Sequence, residues 1–180
     1  MDFRELITLR RSRRSYTDAA IPETALEAIV EAGLLAPTGR NLHPCEIIMV
    51  REKAMLAQLA RAKTGGSAML AEAGAALVVV GNTTRSDTWV EDGSIMMAYM
   101  QLAAEAQGVG NCWVQIRSRQ SQEVLANGEH LSSDDYVRAA LDIPESYAVL
   151  AILALGMSEE ARPPHTAADI DKSKLHDERF

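Results

Sequence analysis

Apolar and polar positions along the chain alternate between two periods. Near the start, Phe3, Leu6, Ile7 and Arg10 share a side at helical spacing, which predicts a helix over 3–11 with Asp2 as its cap and Glu5 three positions on. Residues 21–37, IPETALEAIVEAGLLAP, predict a second helix: Pro22 suits the first turn, Leu26, Ile29, Val30 and Leu34 form an apolar stripe, and Pro37 stops it. EIIMVR (46–51), AALVVVG (75–81), NCWVQIR (111–117) and YAVLAILALG (147–156) are short apolar runs of the kind that form buried strands. Between them the pattern returns to helix. Residues 53–62 read as one, broken by Gly65-Gly66, and residues 119–127 and 134–142 as two short ones. Residues 91–108, EDGSIMMAYMQLAAEAQG, are apolar nearly all round, which places that helix in the centre of the molecule or at a subunit contact. Residues 157–180 carry little pattern and end on Phe180.

These elements give helices interleaved with about four strands in a chain of 180 residues, enough for one domain with its own core. Apolar residues make up 47% but aromatics only 4%, so Ala, Leu, Ile, Val and Met must build that core. No apolar run approaches the roughly 20 residues of a membrane helix, and Asp2 and Glu5 interrupt any apolar signal core, so a cytoplasmic protein with no membrane partner is expected. Cys45 and Cys112 have no metal-ligand or CxxC spacing and are expected to be reduced thiols. The four histidines have no ligand spacing either, and no metal site is expected.

Charge adds a contrast. The chain carries a net charge of −7, yet LRRSRRSY, residues 9–16, holds four arginines in five positions. A phosphate clamp, a solvated helix end complementing the helix dipole, and a nucleic-acid contact are all compatible with that spacing. The net acidity disfavours the last, since neutralising many phosphates needs a basic face. The loop APTGRNLHPC (36–45) brings Thr38, Gly39, Arg40 and Asn41 to a place where backbone can approach a ligand, or it simply connects a helix to a strand. GVGNCWVQIRS (108–118) contains Gly-x-Gly, but the third glycine is missing and the segment follows a helix and precedes a strand, so it is not a dinucleotide fingerprint. No Ser/His/Asp arrangement stands out.

In this order the segments resemble the nitroreductase family of flavoproteins. The early Arg10-Arg11-Ser12-Arg13-Arg14, Tyr16, the helix leading to PTGRNLHP, the long apolar helix, GVGNCWV, the late IPESYAVLAILALG and the ending KLHDERF span essentially the whole chain. The resemblance implies an α+β fold with a central, mostly antiparallel sheet flanked by helices, in an intertwined homodimer. It implies one FMN-binding domain over 1–180, with 157–180 as an arm on the partner subunit. It implies that Arg10, Arg11, Ser12 and Arg14 hold the phosphate and ribityl chain of FMN, with Arg13 solvated and Arg162 a further phosphate contact. Pro37, Thr38, Gly39 and Asn41 would reach the flavin from the partner. Trp113, Val114, Gln115 and Ile116 would pass along its ring, with a backbone amide at N5.

The activity implied is FMN-dependent oxidation of NADH or NADPH, alternating with reduction of nitroaromatics, quinones or similar electron-poor acceptors. Hydride chemistry belongs to the flavin, so no acid–base pair is required of the protein. Three departures are specific to this chain. Cys45 follows the proline where Trp is common, Tyr99 stands where the long helix often carries Asn, and Gln115-Ile116 replaces a glycine-containing pair. The chain is also short and lacks a helical insertion over the pocket. These features bear on substrate and turnover rather than on FMN binding, and they keep a non-catalytic flavin-binding, storage or regulatory protein as the alternative.

Overall fold

The computed structural model describes residues 1–180. Strand β1 (Cys45–Val50), β2 (Ala75–Asn82), β3 (Gly110–Gln115) and β6 (Tyr147–Gly156) form one sheet in the order β1-β2-β6-β3, every pair antiparallel. The two central strands are the ones written almost wholly in Ala, Val, Leu and Ile. Burial on both faces demands that composition.

Period-two alternation splits these strands between two cores. Ala75, Leu77 and Val79 of β2 pack with Leu153 and Leu155 of β6 beneath α2 (Glu23–Leu34) and α4 (Trp89–Ala106). Ala76, Val78 and Val80 face the opposite way, with Ile152 and Ala154, beneath α3 (Lys53–Leu59) and α5 (Ser133–Ala140). The result is a helix–sheet–helix sandwich of the α+β class. Helix α1 (Phe3–Leu9) lies against α4 and is capped as predicted, with the Asp2 carboxylate accepting from the Glu5 N–H at 2.8 Å.

One bulge shapes the site end of the sheet. Val79 pairs with Ala151 and Val80 with Val149, leaving Leu150 as the extra residue. Its carbonyl accepts from both Ile116 N at 3.2 Å and Arg117 N at 3.0 Å, which turns the chain out of β3.

The helix expected over 119–127 is instead strand β4 (Gln120–Val124), which pairs with β5 (His130–Ser132) in a separate hairpin. Its backbone is engaged sideways: Thr64 N donates to Gln120 O and Gln122 N to Arg61 O. Gly128, at φ 85°, closes the turn. The other long elements fall where expected. α4 buries one side, Met96, Met97, Met100 and Ala104, and leaves Ile95 and Tyr99 exposed. Residues 157–180 make only two short 3-10 turns, and Ile170, Leu175 and Phe180 project into solvent. No helix is long and apolar enough to cross a membrane.

Candidate functional site

The arginine run leaves α1 as an extended segment and joins the sheet. Ser12 forms a parallel bridge to Asn111 at the head of β3, and Arg13 N donates to Asn111 O at 2.9 Å. Extended backbone sends neighbouring side chains to opposite sides. Ser12 and Arg14 face a cavity of about 260 Å³ that Arg10, Arg11, Arg162 and His165 complete. Arg162, picked out far away in the sequence, is thus beside the early arginines.

Arg13 corrects the expectation of a solvated residue. It points the other way, and its guanidinium takes both oxygens of Glu105, at the end of α4, at 2.7 and 3.2 Å. The two side chains are only 20% and 9% exposed. The cluster therefore divides: one arginine fastens the segment to α4, and the others are left for the cavity. Arg11 also donates to the Pro163 carbonyl, which ties the start of the tail to the cavity wall.

Glu160 and His165 escaped the sequence reading. Glu160 accepts from Arg14 N at 2.6 Å and Ser15 N at 3.2 Å and also pairs with Arg162. The Arg14 N–H first, then the Arg162 bond, hold its carboxyl below the usual range. No local spacing could have paired residues 14 and 160. Even so, the cavity is lined by four guanidiniums and no carboxylate, with Glu160 and Asp169 pairing Arg162 and His165 beside it, a donor set suited to a phosphate dianion.

β3 then leads away from the arginines along an open edge. Asn111 spends its carbonyl on Arg13, so its main-chain groups point away from β6. By alternation, those of Trp113 and Gln115 point the same way. From Asn111 to Gln115 is roughly 13 Å of strand. The side chains split as well. Trp113 Nε1 donates to Gln115 Oε1 at 2.8 Å, and Gln115 Nε2 donates to Arg117 O at 3.0 Å. Val114 and Ile116 turn the other way: their side chains are buried in the core beneath α3 and α5, and their main chain faces β6, where Ile116 N donates to Leu150 O at 3.2 Å, so only Trp113 and Gln115 of this run present main-chain groups to the open edge.

The third predicted stretch is elsewhere. Gly39 N donates to Asp92 Oδ1 at 2.7 Å, so Pro37, Thr38, Gly39 and Asn41 sit at the N-terminal end of α4. Thr38 Oγ1 accepts from His43 N at 3.1 Å, and Asn41 Oδ1 meets His43 Nε2 at 2.9 Å. The arginines are fastened near the other end of α4, through Glu105. Asp92 and Glu105 are about 20 Å apart along the helix axis. One chain brings the arginines and the β3 edge together, but not this loop.

Neither cysteine offers a nucleophile. Both are buried and unpaired. Burial, with Asp92 nearby, pushes the Cys45 thiol up to about 12, and burial raises Cys112 as well. The site is therefore a set of anion-binding side chains and open main-chain donors to which the cysteines add no nucleophile.

Known proteins share this fold. An FMN-dependent nitroreductase from Clostridium difficile superposes with a TM-score of 0.93 at 34% identity, over 99% of this chain and 100% of that one. A protein of Archaeoglobus fulgidus, provisionally named an NADH dehydrogenase/NAD(P)H nitroreductase, is 32% identical over 98% of this chain and 97% of its own. A Thermus thermophilus protein named NADH dehydrogenase is 28% identical over 92% of this chain and 91% of its own. The nitroreductase family model matches residues 7–66 and 56–157, which include the arginine run, the loop at the head of α4 and all of β3. With fold and sequence in agreement, the chain belongs to the nitroreductase family.

Proposed function

We propose that the protein is an FMN-dependent oxidoreductase that takes electrons from NADH or NADPH and passes them to nitroaromatics, quinones or similar electron-poor acceptors. The observation that carries this reading is the arginine cavity at the head of the open β3 edge. Ser12 touches β3 at Asn111, so a phosphate held by Arg10, Arg11, Arg14 and Arg162 starts where the strand starts. The roughly 13 Å to Gln115 suits a ribityl chain followed by the near part of a flavin ring. The names of the Clostridium difficile and Archaeoglobus fulgidus relatives point to the same cofactor and donor.

FMN, when bound, supplies the hydride acceptor and donor. The protein's residues supply the rest. The guanidiniums fix the phosphate, the Ser12 hydroxyl adds a donor, and the outward N–H groups of Trp113 and Gln115 line the ring edge. Neighbouring side chains carry no proton-transfer duty, consistent with the unreactive thiols. Donor and acceptor would use one exposed face in turn, a ping-pong order.

The loop Pro37–Asn41 belongs to this reading through a second copy. A two-fold axis across α4 would lay two such helices antiparallel. That brings the N-terminal end of one, with its loop, beside the C-terminal end of the other, with its arginines. The exposed apolar groove between α1, α2 and α4, lined by Phe3, Leu6, Tyr99 and Leu102, is the surface such a dimer would bury. Residues 157–180 would lie over the partner as an arm.

The test is the visible spectrum of the purified protein, chromatography of whatever cofactor heat releases, and steady-state NAD(P)H oxidation with menadione and with a nitroaromatic. Bound FMN with turnover is expected. Bound FMN without turnover on either acceptor leaves the storage or regulatory alternative. A colourless chain that takes up no added FMN overturns the reading.

A further inference from the structure

We infer that Asp92 is a positioning residue for flavin binding: it holds the loop 37–43 in its ligand-facing shape from inside the protein. This rests on the reading that the loop contacts FMN. Asp92 is 2% exposed and has no cationic partner within ion-pair distance. A buried carboxylate without a cation is costly unless donors surround it. Here the Gly39 N–H gives one donor at 2.7 Å and the Thr88 hydroxyl another at 3.3 Å. Asp92 also lies in the first turn of α4, where the helix dipole favours a negative charge. The protein thus keeps a buried anion at a place where its bond to the loop is the shortest it makes.

The loop needs such an anchor. Arg40, Asn41 and His43 all have positive φ, at 52°, 56° and 47°. Non-glycine residues in that region are strained, and a free loop would relax out of it. Glycine at 39 is required by the same contact: a Cβ there would stand 2.6 Å from Thr88 Oγ1. Arg40 meets Asp87 outside, and His43 closes on Thr38 and Asn41 within the loop, but Asp92 is the group that fixes the loop to a helix of the core. Asp92 need not touch FMN. It acts through Gly39, setting where Thr38, Gly39 and Asn41 stand.

The experiment compares wild type, D92A and D92N as full-length chains freed of flavin. Each is titrated with FMN by flavin fluorescence quenching, and each flavin-free chain is treated with trypsin, which cuts after Arg40. In D92A the FMN Kd is expected to rise roughly tenfold to a hundredfold and cleavage at Arg40 to accelerate by a similar factor. In D92N the side-chain oxygen still accepts from Gly39, so both quantities stay within about threefold of wild type.

That rescue separates positioning from bulk charge: D92N failing as badly as D92A overturns the inference. So does D92A binding FMN like wild type. Should D92A not fold, T88V takes its place; a Kd raised about threefold or more supports the inference, and an unchanged Kd overturns it. Wild type failing to bind FMN while D92A still speeds cleavage at Arg40 means the anchor is real and the flavin reading is wrong.

Discussion

At the scale of single residues, the arginine run performs two tasks that its spacing does not separate. Alternation along the extended segment sends Arg14 to the cavity and Arg13 to Glu105. The double variant R10A/R14A is expected to weaken FMN binding by about a hundredfold, because each charged contact to a phosphate is worth more than a neutral hydrogen bond. Equilibrium FMN titration checks it. R13A should instead lower stability by roughly 2 kcal/mol, between the values for exposed and buried pairs, since it strands the nearly buried Glu105. Urea unfolding of the flavin-free chain reads that loss.

Glu160 gives a pH signature. Its carboxyl lies below the ordinary value of 4.5 in the folded chain, so its stabilising contribution is complete above that value and disappears as pH falls through the lower folded one. The Tm of wild type should exceed that of E160Q at neutral pH, and the gap should close on acidification below about pH 4.5. A gap that stays constant with pH would mean that Glu160 holds the tail by shape alone. The arginines, the loop and β3 were legible in the sequence because each carries a local composition. Arg162 required the resemblance. Glu160 and Asp92 stayed hidden because their partners are 146 and 53 positions away, and His165 because it is tied, through its N–H, to the distant Thr8 carbonyl.

At the scale of elements, the sheet and the long helices were legible for a physical reason. Strands buried on both faces read as uninterrupted apolar runs, helix α2 is long enough for period 3.6 to emerge, and helix α4 stands out as an apolar stretch too long for a strand. The β4–β5 hairpin was not legible from apolar pattern. It is mostly exposed, so no alternation marks it, and its residues suit a helix as well as a strand. The usable signal was the Asn127-Gly128 pair, a hairpin-turn dipeptide. Gly128→Ala is expected to cost about 1 kcal/mol, because alanine resists the positive φ of that turn. Urea denaturation should show the loss while the FMN Kd stays at its wild-type value, since the hairpin lies outside the arginine cavity and the β3 edge. Together these outcomes would mark the hairpin as scaffold.

At the scale of the whole molecule, the separation of the loop from the arginines would, in the proposed dimer, tie cofactor binding to assembly. Both halves of the proposed site are fastened to α4, about 20 Å apart, so in the proposed dimer a second copy would unite them. FMN would then bind more tightly to the pair than to the single chain, and by linkage FMN would hold the pair together. Tyr99, 42% exposed on the apolar side of α4, is the place to break this coupling without touching an arginine or the loop. Tyr99→Glu puts a charge into the surface that a dimer must dry. Sedimentation equilibrium should find wild type at twice the 19.6 kDa chain mass and Y99E near the single value. FMN affinity should fall in step, by at least about tenfold, because the loop contacts leave with the partner. High protein concentration should recover both together. A Y99E monomer that binds FMN as wild type does would mean that the arginine cavity and the β3 edge of one chain suffice, and that loop 37–43 serves some other contact.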